Sequence, residues 1–123
     1  MTLLLIALGG TLGALARFLL SSTLQRLSGL SFPVGTLAVN LLGSFLIGLL
    51  IALSLHKLPL KTEARAFLIT GFLGSFTTFS SFAYEALYLL LNGKYGKFLL
   101  YLLLTNALGL TAVFLGYRLG RSL

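Results

Sequence analysis

The chain has 123 residues, of which 58% are hydrophobic and 9% are charged, and its mean hydropathy is +1.04. A soluble domain carries about a quarter charged residues, so this composition excludes a soluble globular protein, and the apolar content excludes a disordered chain. The lack of cysteine excludes disulfides and thiolate sites, and one histidine with two glutamates leaves little for acid–base catalysis. The composition therefore indicates a small membrane protein that is not an enzyme.

Four segments are long and apolar enough to cross a bilayer, because a spanning helix needs about 20 mostly apolar residues. The second begins at Pro33, with Ser31 available as its cap. No positive charge precedes the first segment, which argues against a cleaved signal peptide. The loops are short, so we predict one four-helix transmembrane domain over residues 1–123. The predicted spans are residues 3–20, 33–55, 66–91 and 98–117.

The basic residues are spread almost evenly over the two membrane faces. One face holds Lys57, Lys61, Arg65, Arg118 and Arg121. The other face holds Arg17, Arg26, Lys94 and Lys97. Orientation normally follows a Lys/Arg excess on the cytoplasmic side. Either one residue such as Arg65 decides a single orientation, or copies insert both ways and pair antiparallel, which the even distribution favours. The net charge of +7 suits attraction of anions and contact with anionic lipid.

Small residues recur four positions apart, a spacing that lets two helix backbones approach closely. Such contacts form either within one chain or between chains. Because four short helices enclose little interior, we expect that some of these faces meet a second copy in a homo-oligomer. The pairs are Gly9/Gly13, Gly10/Ala14, Ser44/Gly48 and Gly116/Gly120.

The third segment carries a dense run of glycine, hydroxyl and phenylalanine side chains at residues 70–82, in mid-membrane. Gly71, Gly74 and Ser75 weaken a helix, and the adjacent threonines add competing hydroxyls. We predict a break here, against the alternative of an unbroken helix whose small residues only pack. Backbone carbonyls freed at a break can bind a cation, and a new helix N-terminus can face an anion.

Polar and aromatic side chains within the spans are functional candidates, because polar groups are costly in hydrocarbon. Asn40 needs partners, which either an ion or a neighbouring helix could supply. Phe79 and Phe82 are three residues apart and so share one helix face, and aromatic rings have a positive edge that can contact a small anion. Thr78 and Ser81 form a parallel hydroxyl row.

Two titratable residues receive no catalytic role in this interpretation. Glu85 follows the hydroxyl row by one turn, and we interpret it as a vestibule or snorkelling residue, with pairing to a lysine as the alternative. His56 has no partner that suggests a metal site.

At residues 9–18, 33–45 and 71–82 the chain closely resembles the fluoride channels of the Fluc/CrcB family, in the order and spacing of that family. The resemblance implies a passive, fluoride-selective channel of the prokaryotic plasma or inner membrane, which lets fluoride leave the cell and so limits its toxicity. It also implies a dual-topology antiparallel homodimer with two pores, and it gives no nucleic-acid partner.

The resemblance assigns roles to individual residues. A central, non-transported sodium ion is implied at the backbone carbonyls of Gly74 and Thr77. Ser75 stands where many relatives have glycine, and we expect little effect from this departure. The implied ion pathway consists of Asn40, Phe79, Phe82 and Arg17, the last near the pore entrance, with Tyr101 and Thr105 as polar positions on the fourth helix.

The predicted mechanism replaces the water around fluoride with uncharged hydrogen-bond donors, which ionised carboxylates cannot provide. The amide of Asn40 and the hydroxyls of Thr78, Ser81 and Thr105 can donate. Weak contacts from ring edges suit a site that must release its ion.

Two other functions stay open. A small multidrug transporter of dual topology would need an embedded carboxylate, which the first span lacks. A non-conducting assembly subunit would leave Asn40 and the 71–82 run without a role.

Overall fold

A computed structural model describes all residues 1–123 and confirms an all-α chain with four spans. The windows that define these spans have mean hydropathies between 1.4 and 2.2, as a multi-pass membrane protein requires. The third span, Thr62–Leu91, is made of four elements in succession. The elements of the fold are α1 (Thr2–Ser28), α2 (Val34–His56), α3 (Thr62–Arg65), a π-helical segment (Ala66–Leu73), α4 (Gly74–Phe76), α5 (Phe79–Leu91) and α6 (Tyr95–Ser122).

The helices are longer than the predicted apolar segments. Helix α1 continues past residue 20 to Ser28, and α6 begins at Tyr95 rather than near residue 98. A helix requires backbone hydrogen bonds and not apolar side chains, so it extends beyond the hydrocarbon until a residue ends it. Gly29 (φ 64°) and Gly93 (φ 72°) do so after α1 and α5, because glycine adopts the left-handed conformation without steric cost.

The prediction that Ser31 caps α2 is wrong. Pro33 directly precedes the helix, and the side chain that bonds to its first turn is Gln25, whose Oε1 accepts from the Gly35 N–H at 2.9 Å. The Ser31 hydroxyl instead accepts a hydrogen bond from Lys97 at the start of α6. The Lys97 ammonium has three donors, and the Ser31 hydroxyl is the only side-chain oxygen in the loop of residues 29–33 that can accept from it.

Glycines hold α2 against α6. A Cβ added to Gly48 would collide with the Val113 carbonyl, and one added to Gly116 would collide with the Phe45 carbonyl. Gly120 likewise approaches α2 too closely for a side chain. For these predicted small-residue pairs, the structure therefore shows contacts within one chain.

Helix α1 packs on the third span in the same way. A Cβ on Gly9 would collide with the Phe67 carbonyl, and one on Gly13 would collide with the Phe72 carbonyl. Gly71 of the π-helical segment in turn faces the backbone of α1. Such close backbone approach is the usual role of small residues in membrane helices.

The predicted break in the third span is confirmed. Thr77 (φ −87°, ψ 154°) and Thr78 (φ −148°, ψ 114°) are extended and separate α4 from α5 near the middle of Thr62–Leu91. The π-helical segment before them is itself a deviation from regular α-helix, a feature often found at functional sites. The backbone groups at the break must find partners other than helical ones.

The buried core is small, and most large apolar side chains lie on the outside, where lipid or another protein surface can cover them. Two clusters form the interior, one on each side of the break. They are Val39, Leu73 and Phe76 in the first cluster and Phe82, Ala86, Leu89 and Tyr101 in the second.

Candidate functional site

The amide of Asn40 holds the backbone of the break. Its Oδ1 accepts from the Thr78 N–H at 2.8 Å, and its Nδ2 donates to the Thr78 carbonyl at 3.2 Å. An extended residue inside a span has no helical partners, so this amide supplies both hydrogen bonds that the helix no longer makes. Nδ2 carries two hydrogens, and the second is free to donate. Asn40 therefore combines the two roles left open by the sequence: it binds a neighbouring helix and keeps one donor.

The threonine hydroxyls at the break also bond to the backbone. The Thr78 Oγ1 accepts from the Ser81 N–H at 3.1 Å and so caps the first turn of α5. The Thr77 hydroxyl donates to the Leu73 carbonyl at 3.1 Å. Because Thr78 Oγ1 accepts this bond, its own hydrogen can point elsewhere, either to Ser80 Oγ at 3.2 Å or into open space. The cap thus leaves a donor at the N-terminus of α5.

A cavity of about 400 Å³ opens beside the break, between α2, the third span and α6. We call it the break cavity. None of its 14 lining residues carries a formal charge. Of the predicted site residues, the structure brings together Asn40, Gly74, Thr77, Thr78, Phe79, Phe82 and Thr105 in its lining.

Thr105 lines this cavity and has an unpaired hydroxyl. Its Oγ1 is buried, and it is the one buried side-chain polar atom of the chain without a hydrogen-bond partner. Other hydroxyls within α6 do find partners, as Thr111 does when it donates to the Ala107 carbonyl at 2.7 Å. A buried hydroxyl without a partner costs free energy, so it marks a place where a ligand or water can accept its hydrogen.

Phe79 and Phe82 lie on one face, as predicted, with ring centroids 5.6 Å apart, but they differ in exposure. Phe79 is 78% exposed, whereas Phe82 is buried. The Phe82 ring meets Tyr101 edge-on at 5.0 Å, and Tyr101 meets Phe32 in the same manner at 5.4 Å. Tyr101 is fully buried and lies behind Phe82 rather than in the lining of the break cavity.

Glu85 accepts a hydrogen bond from the Tyr101 hydroxyl at 3.2 Å. The carboxylate thus bonds to a tyrosine, rather than to the lysine considered as its alternative partner. Glu85 also lines a second cavity of about 270 Å³. We call this the Glu85 cavity. It has the other lining residues Gln25, Ser31, Pro33, Tyr84, Tyr88 and Leu89.

Arg17 lies at the break but outside both cavity linings. Its Nε donates to the Ser75 carbonyl at 2.9 Å, just before the extended residues. The Ser75 hydroxyl donates in turn to α1, at 2.8 Å from the Gly10 carbonyl. Arg17 and Ser75 together tie α1 to α4. Ser81 is half-buried and, like Arg17, is not part of the cavity lining.

The carbonyl of Thr77 accepts no hydrogen bond within the chain. Gly74, whose carbonyl is the other predicted sodium ligand, is exposed and has no side chain to cover it. Neutral carbonyl oxygens are suitable ligands for a hard cation. One chain offers two such oxygens, so a complete cation site here would need further oxygens from elsewhere, such as a second copy.

Two polar lining residues were missed in the sequence. Asn106 follows Thr105 directly, and Ser44 lies one turn after Asn40; both line the break cavity. The reasoning that singled out Asn40, a costly amide within a span, applies equally to Asn106 and could have found it. Asn106 is exposed, although its Nδ2 donates to the Leu102 carbonyl at 2.8 Å.

Comparison with known proteins identifies the family of the chain. The family described as CrcB-like protein, Camphor Resistance (CrcB), matches residues 4–117. A protein of Aquifex aeolicus named fluoride-specific ion channel FluC is 54% identical over 118 residues, covering 96% of this chain and 95% of its own length. A protein of the same name from Thermus thermophilus is 56% identical over 120 residues, covering 98% and 95%. The chain, with its broken third span and the uncharged cavity beside it, belongs to the CrcB-like family.

Proposed function

We propose that this protein is a fluoride-selective ion channel that conducts passively and releases fluoride from the cell. The observation that carries the proposal is the break cavity, which offers hydrogen-bond donors without any formal charge. Fluoride is small and tightly hydrated, so a pathway must replace its water with donors. A fixed positive charge would hold the ion too strongly for conduction. The names of the relatives support the same conclusion, and their family is one of channels rather than enzymes.

Three side chains supply the hydrogen-bond donors of the break cavity. Asn40 keeps one amide hydrogen, Thr78 keeps its hydroxyl hydrogen and Thr105 has no partner at all. From there the ion passes the ring edges of Phe79 and Phe82, whose partial positive charge attracts an anion weakly. The pathway then continues past Ser81 and Glu85 of α5 and Tyr101 of α6. Arg17 acts on this pathway through the backbone at the break, as its bond to the Ser75 carbonyl indicates.

The working unit in this proposal is an antiparallel homodimer with two pores. The break cavity is open on one side of the chain, and Phe79 and Asn106 are exposed there in mid-membrane. An exposed amide in hydrocarbon is costly, so a second copy is expected to cover this face. With Arg17 placed at the break, the two ends hold five and three basic residues, a small excess that allows both orientations.

A central sodium ion completes the proposal. The carbonyls of Gly74 and Thr77 from each of two copies would hold it where the two breaks meet. The ion would neutralise oxygens that have no other partner in the membrane. Its role is structural: replacement of sodium by a large organic cation is expected to weaken the dimer, as measured by the fraction of dimer on size-exclusion chromatography.

Fluoride efflux from liposomes that contain the purified protein tests the conduction. With a potassium ionophore and potassium on both sides to balance the charge, we expect rapid efflux of fluoride and no measurable efflux of chloride from matched vesicles. Under these conditions a proton ionophore should leave the fluoride rate unchanged, since a passive channel needs no proton gradient. Absence of fluoride efflux, or equal efflux of chloride, would contradict the proposal. Efflux that stops when the proton gradient is removed would favour a coupled transporter.

The orientation has its own test, because the chain contains no cysteine. A Ser122→Cys variant places one thiol at the end of α6. In sealed membrane vesicles of uniform orientation prepared from cells, dual topology should let an impermeant thiol reagent outside modify about half of the copies. Modification of all or none would show a single orientation.

A further inference from the structure

The Glu85 cavity and the break cavity adjoin the same stretch of α5. Phe82 lines the break cavity, and Glu85, three residues later and on the same helix face, lines the other. Tyr101 contacts both side chains, through its ring and its hydroxyl. In the proposed pathway, an ion that leaves the break cavity past Phe82 reaches the Glu85 cavity next. There it meets a carboxylate, which repels an anion when ionised.

Lys97 is the positive group tied to this cavity. Its Nζ lies 2.5 Å from the hydroxyl of Ser31, and Ser31 lines the Glu85 cavity. An ammonium group has three donors. The bond to Ser31 uses one, which leaves two for an anion or its water.

Gln25 holds the loop that presents Ser31. Its Nε2 donates to the Leu30 carbonyl at 3.0 Å and to the Phe32 carbonyl at 2.8 Å, on both sides of Ser31. Its Oε1 accepts from the Gly35 N–H at 2.9 Å, in the first turn of α2. Three hydrogen bonds from one side chain thus define the position of the loop. The Lys97 ammonium is consequently kept at the cavity, although the side chain itself is exposed.

We propose that Lys97, held by Ser31, is an anion-recruiting residue at the mouth of the pathway. It raises the local fluoride concentration at the Glu85 cavity and offsets the repulsion of the carboxylate. This inference rests on the proposed function, because it concerns the rate at which fluoride reaches the pore. It adds a binding role for a residue outside the resemblance segments.

The test measures fluoride efflux from vesicles of neutral phosphatidylcholine, which removes the contribution of lipid charge. Lys97→Gln should lower the rate two- to threefold at low ionic strength, about the effect of one charge 6–10 Å away in water. The loss should disappear at an ionic strength of ~1 M, set with an impermeant salt, where the screening length falls to about 3 Å. Lys97→Arg should restore the parent rate, since it restores the charge.

Lys94→Gln is the matched control. It removes the same charge just before the same helix, but the Lys94 side chain makes no hydrogen bond to the cavity lining. Its effect should be smaller than that of Lys97→Gln. Equal effects, or a Lys97→Gln rate that matches the parent at low ionic strength, would overturn the recruiting role while fluoride conduction by the parent still stands. A parent protein that does not conduct fluoride would overturn the proposed function and this inference with it.

Discussion

The contact between α2 and α6 and the space beside the helix break are built from the same residue types to opposite effect. At the helix contact, Gly48 and Gly116 face backbone carbonyls so closely that no side chain fits. At the break cavity, Gly109 has no atom within 4 Å of a built Cβ, and Gly74 has only one, at 3.6 Å. Gly48 and Gly116 let two helices pack without a gap, whereas Gly74 and Gly109 leave open space beside the backbone. A small residue in a span thus closes a helix contact or leaves room for a cavity according to what faces it.

The largest effect is expected from adding a methyl group at the contact between α2 and α6, where only glycine fits. Gly48→Ala places a methyl group against the Val113 carbonyl, and Gly116→Ala places one against the Phe45 carbonyl. A backbone atom cannot move aside as a flexible side chain can, so we expect each change to cost about 3 kcal/mol or to prevent folding. Thermal unfolding in detergent and the yield of monodisperse protein measure the loss.

Gly109→Ala is the matched control, on the same helix as Gly116 but with open space around the new methyl. We expect stability equal to or above that of the parent, since alanine favours a helix more than glycine does. A Gly109→Ala variant as unstable as Gly116→Ala would show that the difference between the two regions is not one of contact.

The sequence predicted the four spans and the break because hydropathy and the loss of helix propensity are local properties. It did not predict which glycines meet carbonyls. The four-residue spacing is the same for Gly9/Gly13 and Gly10/Ala14, yet a Cβ on Gly9 or Gly13 would collide with a carbonyl of the third span, whereas one on Gly10 would lie 4.0 Å from the Gly71 carbonyl. The partner of a helix face depends on how the spans pack, and this information is absent from any one segment.

A second large effect is expected at the amide that holds the break. Asn40→Asp keeps the acceptor for the Thr78 N–H but loses the donor and adds negative charge to the cavity. A carboxylate about 4 Å from fluoride repels it by about 4 kcal/mol at an intermediate dielectric constant, so the fluoride flux should fall at least about a hundredfold. Asn92→Asp adds the same charge outside both cavities and should leave the flux near the parent value. A conducting Asn40→Asp variant would remove Asn40 from the pathway.

Asn40→Leu removes both roles of the amide at once. It leaves the N–H and carbonyl of Thr78 without partners, so we expect a loss of stability of about 2 kcal/mol in addition to a lower flux. The dimer should still form, because Asn40 contacts Thr78 of its own chain. Thermal unfolding and size-exclusion chromatography measure these two properties, and unchanged flux would count against the pore role.

A moderate effect on flux without one on stability is expected at Thr105. Thr105→Val removes a hydroxyl that has no partner in the chain, so stability should stay equal or rise. If that hydroxyl donates to the ion, the flux should fall about tenfold, since a hydrogen bond to a charged group contributes about 1.5–3 kcal/mol. Thr111→Val is the control, because the Thr111 hydroxyl already bonds to its own helix. Equal flux in the two variants would exclude Thr105 as a donor.

The site was predictable only in part, for a physical reason that Asn40 illustrates. Its cost in hydrocarbon was evident from the sequence, and so was the need for a partner. The partner is the backbone of Thr78, 38 positions away along the chain. That Asn40 holds the break and keeps one hydrogen free follows from three-dimensional geometry alone. Asn106 shows the converse, a residue whose signal was present in the sequence and was overlooked.

The smallest effect is expected at Ser75, which lies in the packed contact between α1 and α4 and outside the break cavity. Ser75→Ala removes the hydrogen bond to the Gly10 carbonyl and keeps the Ser75 backbone carbonyl that accepts from Arg17. We expect a loss of about 1 kcal/mol in stability, the usual net value of one hydrogen bond, and an unchanged flux. A small downward shift in the unfolding temperature with parent-like efflux would agree. A flux as low as that of Thr105→Val would mean that the packing of α1 on α4 affects conduction. The packed helix contact and the break cavity would then be coupled.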